Sequence, residues 1–196
     1  MTQMEHPKTP PKSALRTAAR LRRANRPQAQ RETFAQELAT VRHPALDNAK
    51  TVTLFVGVGD EPDTGPLIRA LHGRGVRVLL PIVMPDWSLD WAAYVGDDAL
   101  VPAGYGLLEP TGPRLGAAVV AEADVVIVPA LAIDTAGRRL GQGAGCYDRA
   151  LAFVPASTPI LAIVFDDERS DIELPEEPHD RRVNGVLNPP RGAQGA

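Results

Sequence analysis

The sequence predicts an α/β fold, namely a single domain whose mostly parallel sheet is flanked by helices on both faces. Three observations support this fold class. Apolar, β-branched segments alternate along the chain with segments of helical pattern. The chain has 196 residues, of which 44% are hydrophobic, and this length and composition suit one core. Seventeen glycines and 19 prolines indicate many turns between short elements.

The N-terminal region is predicted to be a tail followed by a basic helix. Residues 1–11 contain three prolines and show no periodicity, so we expect a flexible tail there. The helix begins at Lys12, and Pro27 interrupts it. Its basic residues recur every three or four positions and therefore share one face: Lys12, Arg16, Arg20 and Arg23.

Further helices are predicted along the chain. A second N-terminal helix carries an apolar stripe and ends at His43-Pro44. The segment 66–72 forms a short helix that ends at Gly73, and 114–123 forms another. The apolar stripe of the second helix consists of Phe34, Leu38 and Val41.

The predicted strands lie between these helices and complete one domain. Each is short, apolar and rich in β-branched residues, as is typical of strands that are buried on both faces. The domain is expected to span residues 12–187, and a Pro/Gly-rich flexible tail is expected over 188–196. Buried strands are predicted at 51–58, 76–83, 124–129 and 159–165, with a shorter edge strand at 88–95.

Charge is distributed unevenly along the chain. The net charge is −3, but residues 1–31 carry a net charge of +7 and the remainder carries −10. A basic arm of this kind can cover an anionic ligand, bind nucleic acid or form a solvated helix face. A nucleic-acid-binding body would be neutral or basic and rich in aromatic residues. The acidic body and the nine aromatic residues oppose that class, so we expect a small-molecule substrate and no nucleic-acid partner.

Cysteine content and hydropathy indicate a cellular compartment. The single cysteine, Cys146, excludes an internal disulfide and a cysteine-based zinc cluster, which suits a reducing compartment. The longest apolar stretch, 125–133, is interrupted by Pro129 and is too short to span a membrane. The basic N-terminus lacks the apolar segment of a secretory signal. We therefore expect a cytoplasmic monomer or homodimer with no membrane partner.

A glycine-rich loop carries the clearest chemical pattern in the sequence. Gly141, Gly143 and Gly145 alternate, which leaves backbone N–H groups uncovered and permits positive φ, so the loop can surround a phosphate. The loop lacks the Gly-Lys-Ser/Thr ending of a Walker loop. Cys146 stands where a dinucleotide-binding loop would have a third glycine.

The flanks of this loop decide between two interpretations. A tight turn from strand to helix would explain the glycines without any ligand. Arg138 and Arg139 precede the loop and Asp148 follows it. Because arginines neutralise phosphate and a carboxylate can hold Mg²⁺, these flanks favour a bound nucleotide and a metal ion.

The loop and its flanks resemble the signature of the 5-formyltetrahydrofolate cyclo-ligase (methenyltetrahydrofolate synthetase) family. The signature begins at Val128-Pro129-Ala130-Leu131-Ala132-Ile133-Asp134 and continues as Gly137-x-Arg139-Leu140-Gly141-x-Gly143-x-Gly145-x-Tyr147-Asp148-Arg149. Three further segments agree in order: Lys12-Ser-Ala-Leu15-Arg16, Glu61-Pro-Asp-Thr64 and Gly104-Tyr-Gly106-Leu-Leu-Glu109-Pro110. The resemblance extends from residue 12 to about residue 187. Departures at Ala144, Cys146 and Leu187-Asn188-Pro189 leave open a paralogue that uses ATP on another formylated or amide substrate.

The resemblance implies an ATP- and Mg²⁺-dependent ligase of one-carbon metabolism, which converts 5-formyltetrahydrofolate into 5,10-methenyltetrahydrofolate, ADP and phosphate. Such chemistry depends on positioning and charge neutralisation. The resemblance also implies that the basic helix packs over the nucleotide site. The ATP-binding residues would be Lys12, Arg16, Arg139, Gly141, Gln142, Gly143, Ala144, Gly145, Cys146 and Tyr147. The folate would contact Val56, Glu61, Trp91 and Tyr147, Mg²⁺ would bind Asp148 and Asp180, and the catalytic residues would be Arg139, Tyr147 and Asp148.

Four of the singled-out residues also have a structural interpretation. Glu61 would cap the helix that follows Thr64. Trp91 would be a core residue, and Cys146 an inert small residue. His179, although it precedes Asp180, would be an ordinary surface histidine.

Overall fold

The computed structural model describes residues 10–178 and 180–189. Most of the two predicted tails, at 1–9 and 190–196, and His179 lie outside the described residues. The helices are α1 (Lys12–Ala24), α2 (Gln28–Ala39), α3 (Pro44–Asp47), α4 (Gly65–Gly73) and α5 (Cys146–Leu151). The strands are β1 (Thr51–Thr53), β2 (Arg77–Val83), β3 (Leu89–Ala93), β4 (Leu100–Pro102), β5 (Leu108–Pro110), β6 (Val125–Pro129), β7 (Ala132–Asp134), β8 (Arg139–Leu140), β9 (Ile160–Ile163), β10 (Arg169–Ser170) and β11 (Gly185–Val186).

A six-stranded sheet in the order β11-β9-β6-β1-β2-β3 forms the centre of the fold. Its neighbouring strands are parallel, except that β3 pairs antiparallel with β2 at one edge. Val52 of β1 lies opposite Val78 of β2 on one side and Val125 of β6 on the other. The predicted mostly parallel sheet and its edge strand are therefore confirmed.

The core occupies both faces of this sheet because successive side chains of a strand point in opposite directions. Val125 and Ile127 of β6 pack with α2, α3 and α4, whereas Val126 and Val128 pack with α5 and the 3-10 segment Ala117–Glu122. Both clusters consist of residues that are almost fully buried. Helical elements on both faces confirm the predicted α/β architecture.

The strand predicted at 51–58 is shorter in the structure, because only Thr51–Thr53 pairs as a strand. Leu54 N–H still donates to the Leu79 carbonyl of β2 at 2.9 Å, and after Leu54 the backbone bonds to a side chain instead of a neighbouring strand. The Thr64 hydroxyl donates to the Phe55 carbonyl and accepts from Gly57 N–H at 3.0 Å. The chain therefore leaves the sheet at its carboxyl edge and turns into the loop that carries Glu61.

The helix predicted at 114–123 is a 3-10 segment that spans only Ala117–Glu122. The residues before this segment, at the start of the predicted helix, bond to β3. Leu115 N–H donates to the Trp91 carbonyl, and Gly116 N–H donates to the Asp90 carboxylate. Gly116 has a φ of 86°, which a helix does not allow. The predicted helix is therefore replaced by a shorter 3-10 segment, because bonding to the sheet edge delays its start.

The C-terminal end of the domain extends beyond the predicted boundary at 187. Asn188 is 9% exposed, and its side chain accepts a hydrogen bond from Val164 N–H at 3.5 Å and donates one to Asp166 at 3.3 Å. Residue 188 therefore packs against the domain, one residue beyond the predicted boundary.

The basic helix α1 packs on a small separate sheet. Strands β10, β7 and β8 form this three-stranded sheet next to the central one. Ala19 and Leu15 of α1 contact Leu131, Leu140 and Leu174 around it. This packing places the N-terminal half of α1 beside the glycine-rich loop, which follows β8.

Candidate active site

A cavity of about 320 Å³ opens where the central strands β1, β2 and β6 end. Ligand sites of open α/β sheets usually lie at the carboxyl ends of the strands. Val56 follows β1, Val83 ends β2, and Ala130 follows β6, and all three line this cavity. Strand ends thus form the floor, and the surrounding loops supply the functional side chains.

One wall of the cavity is cationic and comes from α1 and β8. Lys12, Arg16 and Arg139 all line it. The ammonium of Lys12 lies 2.7 Å from the Asp180 carboxylate and 3.1 Å from that of Glu177. Burial of this ammonium lowers its pKa, but the hydrogen bonds to Asp180 and Glu177 outweigh that effect, so the pKa of Lys12 is raised. Lys12 therefore stays charged at neutral pH.

The glycine-rich loop over residues 141–145 turns its carbonyl groups toward arginines. Arg16 donates to the Gly141 carbonyl at 2.9 Å, Arg20 to that of Gln142 at 3.0 Å, and Arg149 to that of Ala144 at 2.8 Å. The N–H groups of residues 141–145 find no hydrogen-bond acceptor within the described part of the chain. An anion in the cavity would supply such an acceptor.

Two of the three glycines adopt the backbone conformation that the sequence predicts for this loop. Gly143 has a φ of 111° and Gly145 a φ of 70°, while Gly141 does not have a positive φ. A Cβ on Gly143 would lie 3.3 Å from the Arg16 guanidinium carbon. Glycine at 143 therefore allows α1 to approach the loop closely.

Arg139, Tyr147 and Asp148 meet at the inner end of this loop. The Arg139 side chain is 6% exposed and donates to the Asp148 carboxylate from Nη2, 2.5 Å away. Its Nε and the Tyr147 hydroxyl are buried and lack a hydrogen-bond partner among the described residues. Burial, together with the nearby Glu61 carboxylate, raises the pKa of Tyr147, so the hydroxyl remains protonated. Both atoms are enclosed by protein, although other atoms of Arg139 and Tyr147 line the cavity.

The opposite wall is mostly apolar and carries the carboxylates of Glu61 and Glu109. Apolar and aromatic side chains form most of this wall, including those of Phe55 and Val56. The Glu61 carboxylate accepts from Gln142 Nε2 at 3.3 Å and from Val58 N–H at 3.4 Å. It does not cap α4, where Asp63 instead accepts from Gly65 N–H at 2.8 Å. Glu61 therefore faces the cavity, beside the cationic wall.

Comparisons with known proteins agree with this geometry. The family model described as the 5-formyltetrahydrofolate cyclo-ligase family matches residues 8–189. The chain belongs to this family. It is 44% identical over 186 residues to the 5-formyltetrahydrofolate cyclo-ligase of Mycolicibacterium smegmatis, covering 92% of this chain and 95% of that protein. The 5-formyltetrahydrofolate cyclo-ligase of Escherichia coli strain K12 is 37% identical over 134 residues, covering 66% of this chain and 73% of that protein.

Solved structures support the fold of this cyclo-ligase family member. The 5,10-methenyltetrahydrofolate synthetase of Aquifex aeolicus superposes with a TM-score of 0.76 at 25% identity, covering 89% of this chain and 88% of that one. The synthetase of Mycoplasma pneumoniae superposes with a TM-score of 0.70 at 17% identity, covering 91% and 99%. The fold of this chain is therefore the one found in these synthetases.

The structure brings almost all of the predicted site residues of this cyclo-ligase into one cavity. They come from four separate parts of the chain, which are the start of α1, the loop after β1, the glycine loop with α5, and the segment before β11. The predicted residues that line the cavity are Lys12, Arg16, Val56, Glu61, Arg139, Gly141, Gln142, Gly143, Ala144, Gly145, Cys146, Tyr147, Asp148 and Asp180.

Trp91 is the exception, and its placement in the folate pocket is wrong for this structure. Its side chain is fully buried and packs with Leu79, Val119 and Val120 in the core. Alternation along β3 turns Trp91 to the sheet face that the 3-10 segment covers. The core interpretation of Trp91 is therefore confirmed.

Two aromatic residues without a predicted role lie at the mouth of the cavity. Trp87 and Tyr105 stack with ring centroids 4.9 Å apart and are 39% and 79% exposed. Both have positive φ, at 64° and 62°. Tyr105 lies within the quoted Gly104–Pro110 motif, in which Glu109 also accepts a hydrogen bond from Val83 N–H at 2.8 Å. The motif is the feature of the sequence that could have drawn attention to Tyr105.

Cys146 lines the cavity, whereas Arg138 has a structural role. Burial raises the pKa of the Cys146 thiol, which agrees with the interpretation of an inert residue. Arg138 does not face the cavity, although the sequence places it beside the loop. It pairs with Asp134 at 3.0 Å and Glu173 at 3.1 Å on the outer side of the small sheet.

Basic residues of α1, and Arg26 just beyond it, contact the protein itself, which does not favour a nucleic-acid-binding arm. Arg20 contacts Gln142, Arg23 contacts Glu168, and Arg26 contacts Asp167. None of the helices among residues 10–178 and 180–189 is long and apolar enough to cross a membrane.

Proposed function

We propose that this chain is an ATP-dependent ligase that converts 5-formyltetrahydrofolate into 5,10-methenyltetrahydrofolate, ADP and phosphate. Family membership and the names of the relatives support this activity. The observation that carries the proposal is the two-sided cavity. Its cationic wall suits a triphosphate, and its apolar wall with Glu61 suits a flat heterocycle with N–H donors.

The reaction needs a better leaving group than a formyl oxygen. Transfer of the ATP γ-phosphoryl group to this oxygen makes phosphate the leaving group and releases ADP. The N10 lone pair then attacks the formyl carbon, the bond from carbon to the phosphorylated oxygen breaks, and the N10 proton is lost to solvent. No covalent bond to the protein forms, so the side chains act by positioning and by neutralising charge.

The cationic residues hold the triphosphate in this proposal. Lys12, Arg16 and Arg139 surround the phosphates, and the N–H groups of residues 141–145 bind phosphate oxygens. The Arg139 guanidinium and the neutral Tyr147 hydroxyl turn toward the cavity when ATP binds and donate hydrogen bonds to oxygens of the reacting group. Charge that develops during phosphoryl transfer is thereby stabilised by groups already in place.

Glu61 and Val56 hold the pterin in the same proposal. A carboxylate accepts two parallel hydrogen bonds from adjacent N–H donors, which fixes the ring in its plane. The Gln142 amide occupies one Glu61 oxygen in this structure, so the pterin displaces this contact when it binds. The apolar wall then excludes water from the formyl group.

The residues present fit a Mg²⁺ ion that arrives with ATP. Within the described residues no group of three or more His, Cys, Asp or Glu side chains is arranged to hold a metal by itself. Mg²⁺ on a nucleotide needs only one or two protein carboxylates, and Asp148 and Asp180 both line the cavity. When bound, Mg²⁺ neutralises phosphate charge during transfer. Each carboxylate pairs with a cationic residue here, Asp148 with Arg139 and Asp180 with Lys12.

The decisive experiment follows the product by its ultraviolet absorbance. Purified protein with ATP, Mg²⁺ and 5-formyltetrahydrofolate should form methenyltetrahydrofolate, and ADP should appear in equal amount. Replacement of ATP by ADP is the control and should give no product. If ATP is hydrolysed with another formylated compound but not with 5-formyltetrahydrofolate, the folate assignment is wrong and a paralogue is indicated.

A further inference from the structure

A buried ion pair anchors the helix that carries the cationic wall. The Arg23 and Glu168 side chains are 4% and 0% exposed. Arg23 Nε lies 2.6 Å from one Glu168 oxygen, and its Nη2 lies 2.8 Å from the other. The same Nη2 donates to the Ala130 carbonyl at 2.5 Å. One guanidinium therefore ties α1 to the segments that follow β6 and β9.

This anchor also reaches the floor of the cavity. Ala130, whose carbonyl accepts from Arg23, lines the cavity at the end of β6. Glu168 is held in turn by the Phe165 N–H, which donates to it at 3.0 Å. Arg26, two residues beyond the end of α1, stacks over the Phe165 ring at 3.9 Å. The C-terminal end of α1 is thus fixed to the end of β6, which lines the cavity, and to the segment after β9.

Helix geometry connects this anchor to the cationic wall. Arg23 follows Arg16 by seven residues and Lys12 by eleven. These separations correspond to about two and three helical turns, and each differs from a whole number of turns by a rotation of about 20°. All three side chains therefore leave α1 on the same face, about 10 Å and 16 Å apart along the axis. A bidentate fork at Arg23 fixes both the rotation and the axial position of the helix. Any change in either would move Lys12 and Arg16 away from the cavity.

Stability alone does not explain a charged pair at this position. Replacement of a buried ion pair by apolar residues of similar volume is often neutral or stabilising, because both charges must be desolvated. A fixed geometry between the connected elements is what such a pair supplies and an apolar contact does not. Here the connected elements are a helix with two phosphate-facing cations and the cavity floor.

We propose that Arg23 and Glu168 are positioning residues that set the register of α1, so that Lys12 and Arg16 meet the ATP phosphates in the cavity. This inference rests on the proposed function, because it takes Lys12 and Arg16 as ATP ligands. Arg23 and Glu168 themselves do not contact the substrates. Their effect should therefore fall on ATP affinity and leave folate binding unchanged.

The test compares a double variant with a surface control. Arg23→Met/Glu168→Gln removes both buried charges and keeps a side-chain acceptor for the Phe165 N–H. Arg23→Lys keeps one charge but loses the fork. Arg22→Met is the matched control, since Arg22 is the exposed neighbour and donates only to the Asp167 carbonyl within the described residues. Calorimetry would measure binding of a non-hydrolysable ATP analogue with Mg²⁺ and, separately, of 5-formyltetrahydrofolate.

We expect the double variant to bind the ATP analogue about tenfold more weakly, while its folate affinity stays within about twofold of wild type. Turnover at saturating ATP should remain near the wild-type value, and amide hydrogen exchange should rise over residues 12–24. Arg23→Lys should show a smaller loss of ATP affinity, and Arg22→Met none. If the double variant does not fold, Arg23→Lys decides the question by the same two affinities.

Two outcomes would overturn the inference. One is an unchanged ATP affinity in the double variant and in Arg23→Lys. The other is an equal loss of both ligands together with a lower melting temperature, which would indicate a purely structural role. Failure of the proposed function is distinguishable, because it would appear in the wild-type protein as absence of ATP-dependent product.

Discussion

Adjacent residues in the sequence can have unrelated roles in this site, as Arg138 and Arg139 show. Arg139 enters the cavity and pairs with Asp148, while Arg138 turns outward to Asp134 and Glu173. Both flank the glycine loop, so sequence position alone does not distinguish them. Their different surroundings make single-residue predictions possible.

The first prediction concerns Glu61. Glu61→Gln keeps the shape of the side chain but removes its charge, so binding of 5-formyltetrahydrofolate should weaken about tenfold or more, since hydrogen bonds to charged groups are worth roughly 1.5–3 kcal/mol. Affinity for the ATP analogue should change by less than about twofold. Calorimetric titration with each ligand checks both numbers. The control is Glu122→Gln, an exposed residue paired with Arg77 far from the site. Equal loss of both ligands would mean that Glu61 orders its loop and does not bind the pterin.

The second prediction concerns the two carboxylates assigned to Mg²⁺. Asp148→Asn should abolish most activity, because it removes a metal ligand and also frees Arg139. Asp180→Asn should raise the Mg²⁺ concentration needed for half-maximal rate and cost less activity. Rates measured across a Mg²⁺ titration would separate the two effects, with the exposed Asp97→Asn as control. A wild-type Mg²⁺ requirement in both variants would show that neither aspartate is a ligand.

The third prediction uses the buried carboxylate of Asp134. Burial alone would raise its pKa, but hydrogen bonds from the N–H groups of Leu174, Arg138 and Ala136 and from the Arg138 guanidinium outweigh burial and lower the pKa. A lowered folded-state pKa contributes stability that is present above about pH 4 and is lost as the pH falls through the folded-state value. Asp134→Asn should therefore unfold more readily at pH 7 and show a weaker acid dependence. Urea unfolding at pH 7, 5 and 3 checks this, and an unchanged pH dependence would contradict it.

At the scale of elements, loops that leave the sheet determine the site more than the strands do. The loop after β1 carries Glu61 and closes on itself through Thr64. The glycine loop after β8 is held against α1 by Arg16 and Arg20. These two loops meet where Gln142 contacts Glu61, so a change in the path of either should affect ligand binding.

The fourth prediction tests the path of the loop after β1. A Cβ on Gly57 would lie 2.0 Å from the Pro62 carbonyl oxygen, so Gly57→Ala must push the backbone next to Glu61 aside. We expect a loss of roughly 1–3 kcal/mol in unfolding free energy and weaker folate binding. Gly73→Ala is the control, since its Cβ would meet no atom within 4 Å. Thermal unfolding and folate titration of both variants check this, and a stable Gly57→Ala protein with normal folate affinity would refute the role of this close contact.

At the scale of the whole molecule, the cationic wall joins three distant parts of the chain. Lys12 and Asp180 are 168 residues apart in sequence and 2.7 Å apart in space. In the sequence, the glycine loop lies between these two residues, near residue 143. A ligand bound to this wall therefore connects both ends of the domain.

The fifth prediction follows from this connection. Mg²⁺ and ATP analogue at about one hundred times the dissociation constant should stabilise the native state by about 2.7 kcal/mol. For a domain of this size the melting temperature should rise by roughly 5–10 °C. Scanning calorimetry measures the shift, and Arg16→Ala should reduce it while the melting temperature without ligand changes little. An unaltered melting temperature at saturating analogue would contradict binding across this wall.

The fold class and most of the residues that line the candidate cavity were predictable from local sequence. Apolar segments such as 124–129 are recognisable because burial on both faces of a sheet demands continuous hydrophobicity. Gly143 and Gly145 are recognisable because positive φ strongly favours glycine. Both requirements act within a short segment of chain, so the residues of that segment are enough to predict them.

Only the tertiary structure decided features that depend on contacts between distant segments. Trp91 belongs to the core because its side of β3 is covered by the 3-10 segment. Arg23, on the same stripe as Lys12 and Arg16, is buried against Glu168 at the far end of the chain. Helical spacing predicts that these three basic residues share one face, but it does not predict which part of that face is covered by protein and which part borders the cavity. That depends on where α1 crosses the strand ends, and the crossing is set by packing between parts of the chain that are distant in sequence.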